Sequence, residues 1–237
     1  MLPHGGFAEH ALARSHDVFP IFGDIPSTEA AAFHVTYQTA WFALCRRAHL
    51  KPGETLVVHA GAGGVGSAAI QLGKAVGAHV IATAGGDEKV ELCKQHGAEI
   101  ALDYDVEDFV AVVNDATHGR GADVIFDPVG GDTFTRSTKC IAWEGRIVVI
   151  GAAGGNYAEA RTNHALVKNY SVHGLNWNGY RSRYPDLVAE AHDDLMAMWE
   201  HGKIHPLVSE VAPLDDLPDT LSKLTGRNST GKLVLTP

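Results

Sequence analysis

Apolar residues fall along much of this chain in short unbroken runs, separated by segments with helical periodicity. Residues 55–60, 79–84, 99–104, 122–127, 146–150 and 171–175 read as strands. Their interiors are continuously apolar rather than alternating, which is the pattern of strands covered on both faces. Residues 65–75, 87–96, 132–142 and 166–169 read as intervening helices. Another follows Asp105, read as its cap, with Val106, Phe109, Val110 and Val113 on one face. Val65, Ala69, Leu72 and Val76 share a face that Gly77 closes, while Asp87 and Gly97 read as the cap and stop of the next helix. Six strands alternating with helices predict a doubly wound parallel α/β sheet.

The flanks break this rhythm. Residues 5–12 alternate loosely, as a strand would, and residues 17–22 suggest another extended piece. A helix is expected over 29–33, capped by Ser27 or Thr28, and a second from Val35 or Thr36 to Arg47. Beyond the sixth strand come a long amphipathic helix at 184–201, a strand at 208–211, a helix at 217–224 and a strand at 232–235. The expected division is 1–24, a central sheet domain at 25–202, and 203–237 as part of a different unit.

Composition narrows the function classes. The 237 residues are 45% hydrophobic and carry a net charge of −9 with no basic cluster, which argues against a nucleic-acid or acidic-membrane partner. No apolar run reaches membrane-spanning length, and the first residues lack a signal-peptide core. Cys45, Cys93 and Cys140 are scattered and form no C-x-x-C pair, which fits core thiols in a reducing cytoplasm. Among the 14 histidines, His201 and His205 stand four apart, but Gly202 and Pro206 argue against one continuous helical face there, so no metal is expected. The sequon at Asn228 reads as a chance match.

Chemistry concentrates after the first central strand, in Ala60-Gly61-Ala62-Gly63-Gly64-Val65-Gly66. Gly61, Gly63 and Gly66 have the G-x-G-x-x-G spacing between strand and helix. The first glycine is read as allowing the tight turn, the second as admitting a pyrophosphate, and the third as letting the helix pack close. Free N–H groups at the helix start favour an anion. The strand 79–84 ends in Ala84-Gly85-Gly86 with no carboxylate to hold the ribose hydroxyls. An uncharged tip leaves room for a 2′-phosphate, and Lys89 in the following first turn is placed to meet it.

With these residues assembled, the chain resembles the medium-chain dehydrogenase/reductases of the zinc-independent quinone oxidoreductase branch. The resemblance runs through GGFAEHALA (5–13), EAAAFHVTYQTAWFAL (29–44), HAGAGGVGSAAIQLGKAVGAHVIATAGG (59–86), LDY (102–104), FDPVGG (126–131), RIVVIGAAGG (146–155) and GRNSTGKLVLTP (226–237). It implies a Rossmann sheet flanked by pieces of a GroES-like β domain contributed by both chain ends. It implies that Thr39 and Gly151 lie near the nicotinamide and that Gly61, Gly63, Gly64, Val65 and Gly66 hold the pyrophosphate. Thr83, Gly85, Lys89, Tyr104 and Arg227 correspond to the adenosine-phosphate pocket. Most of the GroES-like domain, with one wall of the substrate cleft, has no counterpart in these residues. A fragment, a mis-started reading frame and a genuine short form are all compatible with that.

The function implied is NADPH-dependent hydride transfer to a quinone or similar conjugated carbonyl, by a cytoplasmic homodimer joined at the edge strand 171–175. The alternatives are an enoyl or alkenal reductase of the same superfamily and an NADPH-binding protein without turnover. No catalytic residue is singled out, since a reduced quinone can take its protons from water. Tyr37 and Trp41 are candidates for the acceptor site, though aromatics at helical spacing more often belong to a core. A short-chain dehydrogenase is excluded because no Tyr-x-x-x-Lys occurs.

Overall fold

The computed structural model describes residues 6–21, 23–226 and 229–237. Six parallel strands form the central sheet: β1 (Thr55–Val58), β2 (His79–Ala84), β3 (Ile100–Asp103), β4 (Ala122–Asp127), β5 (Ile141–Val149) and β6 (Ser171–Gly174). Their order is β3-β2-β1-β4-β5-β6, so the chain reverses direction across the sheet between β1 and β4. That switch opens a crevice at the carboxyl ends of the strands. Alternate strand residues feed two cores. Leu56, Val58, Val80, Ala82, Val124 and Phe126 face one layer, while Val57, Ile81, Ile125 and Ile147 face the other.

The first layer contains α1 (Ser27–Trp41), α2 (Gly64–Val76) and α3 (Asp87–Gln95). The second contains α4 (Phe109–Ala116), α5 (Gly131–Cys140) and α6 (Thr162–Lys168). The short α7 (Trp177–Arg183) and the long α8 (Pro185–Glu200) close over α1, where Phe42, Trp177, Val188 and Ala191 form a small satellite core. β7 (Val208–Pro213), α9 (Leu217–Thr225) and β8 (Lys232–Thr236) follow, and the two strands make a separate parallel pair. No helix among the described residues is long and apolar enough to cross a membrane.

Several local expectations are corrected. Residues 6–13 form bends and coil, not a strand. In the stretch 17–22 expected to be extended, Asp17 ends a 3-10 turn (Ser15–Asp17), residues 18–21 form no strand, and Phe22 lies outside the described residues. The two helices expected over 29–47 are one. α1 starts after Pro26, with no side-chain cap from Ser27 or Thr28, and runs directly into a π-helical segment at Phe42–Arg47. Nothing between Phe33 and Val35 breaks the helix, so burial of Phe33 and Tyr37 carries it through.

Asp105 does not cap α4. Asp108 does, its Oδ1 accepting from the Val110 N–H at 2.9 Å. Asp87 lies inside α3 rather than capping it. Gly86 holds that position with φ 83°, a left-handed backbone that favours glycine. The long helix begins at Pro185, because proline fits the first turn of a helix but not its interior.

Candidate nucleotide-binding site

The glycine loop leaves β1 through Ala60, whose φ is 52°. The tight turn is therefore made at Ala60, and Gly61 serves a different need. A Cβ on Gly61 would lie 2.7 Å from the Cys93 sulfur and 3.1 Å from the Ala82 side chain, so only hydrogen fits between β2 and α3. Its N–H donates to the Thr83 carbonyl at 2.9 Å and ties the loop to β2. Burial there pushes the Cys93 thiol up to about 12, which leaves it an inert core residue.

Gly63 is the open member of the loop, its absent Cβ meeting nothing closer than the Ala60 carbonyl at 3.3 Å. A Cβ on Gly66 would overlap that same carbonyl oxygen, so α2 can approach the loop only with glycine there. Gly64 is hemmed in by Lys232 Cδ, the Gly231 carbonyl and the Thr36 methyl, at 2.9, 3.2 and 3.2 Å from a would-be Cβ. α2 begins without a side-chain cap. The first N–H groups of α2, Val65 among them, thus point from an uncapped helix end beside the open Gly63, a cradle that suits a pyrophosphate.

The other end of the chain closes this loop. The Gly231 N–H donates to the Ala62 carbonyl at 2.8 Å, and Gly231 bridges to Gly63 in parallel fashion. The Lys232 stem is thereby laid across Gly64, a neighbour of the glycine loop that motif reading alone does not single out. Thr39 lies one helical turn past Thr36, and its hydroxyl donates to the Val35 carbonyl at 2.6 Å. Residues three apart share a helix face, so Thr39 lies on the side of α1 that meets α2. Tyr37 is 1% exposed and belongs to the core, whereas Trp41 is half-buried.

At the tip of β2, Gly85 and Tyr104 come together, with the Tyr104 hydroxyl 2.6 Å from where a Gly85 Cβ would stand. Tyr104 is itself half exposed and borders the crevice. Lys89, in the first turn of α3, is half-buried. A carboxylate does stand nearby, on β3 rather than β2. Asp103 accepts from the Gly86 and Asp105 N–H groups, at 3.0 Å each, so its oxygens are engaged in shaping the tip.

Thr83 faces inward, only 3% exposed. His59 bridges it to α5, with Nδ1 3.1 Å from the Thr83 hydroxyl and Nε2 2.9 Å from the Ser137 hydroxyl. Ser137 donates to the Thr133 carbonyl, so it accepts from His59 Nε2–H, and Thr83 donates to the bare Nδ1. Full burial, with Arg136 adding to it, drives His59 down to about 3 and keeps the ring neutral. Thr83 therefore acts as an internal brace in this structure, its hydroxyl spent on His59.

Across the switch, Asp127 is fully buried, and its Oδ1 accepts from the Val129 and Gly130 N–H groups at 2.9 Å each. Its Oδ2 has no partner among the described residues. Burial raises the carboxyl above its usual range, against the pull of those two bonds. The loop it shapes is fastened to the one after β5, through Ala153 N–H to Pro128 carbonyl and Gly154 N–H to Val129 carbonyl, at 2.9 Å each. Gly151 opens that second loop at the crevice rim, just past β5. Arg227 and Asn228 lie outside the described residues.

The zinc-binding dehydrogenase family profile matches residues 64–193. Among the described residues, no group of three or more His, Cys, Asp or Glu side chains is arranged to hold a metal. The chain is 38% identical over 231 residues to quinone oxidoreductase-like protein 2 of Bos taurus, covering 97% of this chain and 66% of that protein. It thus spans just under two thirds of that relative's length. Quinone oxidoreductase from Pseudomonas syringae pv. Tomato DC3000 superposes with a TM-score of 0.90 at 29% identity, over 100% of this chain and 73% of that one. The Escherichia coli quinone oxidoreductase solved with NADPH superposes at 0.86 with 29% identity, over 94% of this chain and 69% of that one. With its six-stranded sheet, switch-point crevice and glycine loop, the chain belongs to the medium-chain dehydrogenase/reductases, in their zinc-independent, quinone oxidoreductase-like branch.

Proposed function

We propose that this chain is the nucleotide-binding part of an NADPH-dependent oxidoreductase acting on a quinone or a similar conjugated carbonyl. The observation that carries the reading is the tip of β2. Ala84-Gly85-Gly86 offers no carboxylate, Asp103 is engaged by two backbone N–H groups, Tyr104 borders the space beside Gly85, and Lys89 stands in the first turn of the helix that follows. An NAD-selective tip would need a carboxylate free to accept from the ribose hydroxyls. The NADPH in the E. coli relative supports the same reading.

When bound, NADPH supplies the hydride. The chain's residues hold and orient. The α2 N-terminus, Gly63 and Lys232 receive the pyrophosphate, while Lys89 and Tyr104, with Arg227 from the resemblance, receive the 2′-phosphate. Thr39 and Gly151 flank the nicotinamide end. A cytoplasmic homodimer belongs to the same reading. The three cysteines are free thiols, and β6 is an edge strand whose Val172 is exposed.

The test is a titration of the chain with NADPH and NADH, then addition of a quinone panel. Selective NADPH binding, weakened about tenfold or more in Lys89→Glu with NADH affinity little changed, is the expected result. Equal affinity for both nucleotides would overturn the cofactor assignment. Binding without NADPH consumption would favour the reading without turnover.

A further inference from the structure

The carboxyl ends of the strands are accounted for by the nucleotide. The opposite edge of the sheet holds a cavity of about 540 Å³, bounded by the segment before β1, the start of β5 and β6. Its walls are unusual in three ways. First, the π-helical segment Phe42–Arg47 ends at its rim and delivers Arg47 into the lining. π-helical turns are rare and gather at functional sites. Second, two lining residues other than glycine are held in left-handed backbone, His49 at φ 48° and Glu144 at φ 59°. Such strain persists where surrounding structure imposes it, and it clusters at ligand clamps. Third, β5 bulges against β4 between Ala122 and Val124, and the bulge carries Trp143 out, 65% exposed, onto the cavity wall.

Three cations, Arg47, Lys51 and Arg146, and three carboxylates, Glu54, Asp123 and Glu144, line the cavity. Glu54 is engaged by Arg146, in two hydrogen bonds of 3.1 and 2.7 Å, and Asp123 is engaged by Arg120 and the Thr55 N–H. Arg47 Nε is buried and has no hydrogen-bond partner among the described residues. Burial first, then the positive neighbours Arg47, Arg146 and His49, hold the His173 ring below its ordinary range. With Glu54 and Asp123 engaged, Arg47 and Lys51 stand against the single carboxylate of Glu144, and they adjoin an exposed indole face inside a cavity of ligand size.

The geometry points to a second ligand site here, for a small aromatic phosphate or carboxylate whose anionic group meets Arg47 and His49 while its flat body rests on Trp143. The site stands on the far edge of the sheet from the glycine loop and does not depend on the cofactor assignment.

The probe is phenyl phosphate, titrated with and without saturating NADPH, reading Trp143 fluorescence against a Trp143→Phe control and heat by calorimetry. Saturable binding that persists with NADPH present, and that weakens about tenfold or more in Arg47→Gln, is expected. His49→Gln, at an exposed position, serves as the second variant and should weaken binding in the same direction. Inorganic phosphate and phenol should each bind less tightly than phenyl phosphate. Loss of the signal on adding NADPH would place the probe in the nucleotide crevice and overturn the inference. So would absence of saturable binding, or binding unchanged in both variants.

Discussion

The hydroxyl of Tyr104 occupies the space that a side chain on Gly85 would need, 2.6 Å from the position of its absent Cβ. The first residue after β2 and the first after β3 therefore fit only as a pair. Gly85→Ala should push the half-exposed ring aside into solvent, at less than the ~1–3 kcal/mol that overpacking costs inside a core. NADPH affinity should fall while the thermal unfolding midpoint moves little, because the tyrosine is half exposed. Calorimetric titration of the variant beside the parent chain checks this. Unchanged affinity would remove Tyr104 from the pocket.

Lys232 makes a sharper case, since it is brought to Gly64 by the far end of the chain. Lys232→Ala should weaken nucleotide binding by about 1–3 kcal/mol, the range for a hydrogen bond to a charged group. Lys232→Arg should restore most of it. If the cation serves only to pack its stem on the loop, Lys232→Met will bind as the parent does.

His59 links stability to pH. Its folded value, about 3, lies below the ordinary 6.5, so between these values the unfolded chain takes up the proton that the folded chain refuses. Stability is complete above about pH 6.5 and falls on acidification, by up to ~1.4 kcal/mol per pH unit for one such proton. His34, lowered to about 4 chiefly by burial, titrates the same way. Urea unfolding of His59→Gln between pH 4.5 and 7 should show a slope reduced by about one proton. An unaltered slope would mean that His59 charges freely in the fold.

Asp127 runs the other way. Its raised folded value means that the unfolded chain loses its proton first as pH climbs past 3.8, so ionisation of this buried group costs stability above that point. Asp127→Asn keeps an acceptor for Val129 and Gly130 without that cost, and its thermal midpoint should gain on the parent as pH rises through the acid range. Asp127→Ala loses both bonds and should cost about 1–3 kcal/mol.

Much of this was legible in residue order. Continuous apolar runs mark a two-sided sheet, and β1 and β2 obey because every interior position is buried, while β4 departs only at half-buried Asp123. Helix starts were less legible. Asp87 and Asp105 read as caps, yet Gly86 and Asp108 stand at those positions, the second fixed by the Val110 N–H. The pocket residues divide along the same line. Gly63 and Gly66 are bound by local spacing and read directly, whereas Lys232, Asp103 and His59 act through partners elsewhere in the chain. Lysine after glycine in a late strand, or histidine ending the first one, is a faint signal until the sheet order is known. Thr83 illustrates the cost of position without orientation, since its hydroxyl turns inward to His59.

The Gly231–Ala62 hydrogen bond makes the glycine loop a late arrival in the life of the molecule. Its two partners are separated by most of the chain, so loop-closure entropy delays their meeting until the sheet between them has formed. During synthesis the loop emerges early and must wait for the closing residues to leave the ribosome. A nascent chain halted before Gly231 would carry every glycine of the motif and still lack the strap that sets it.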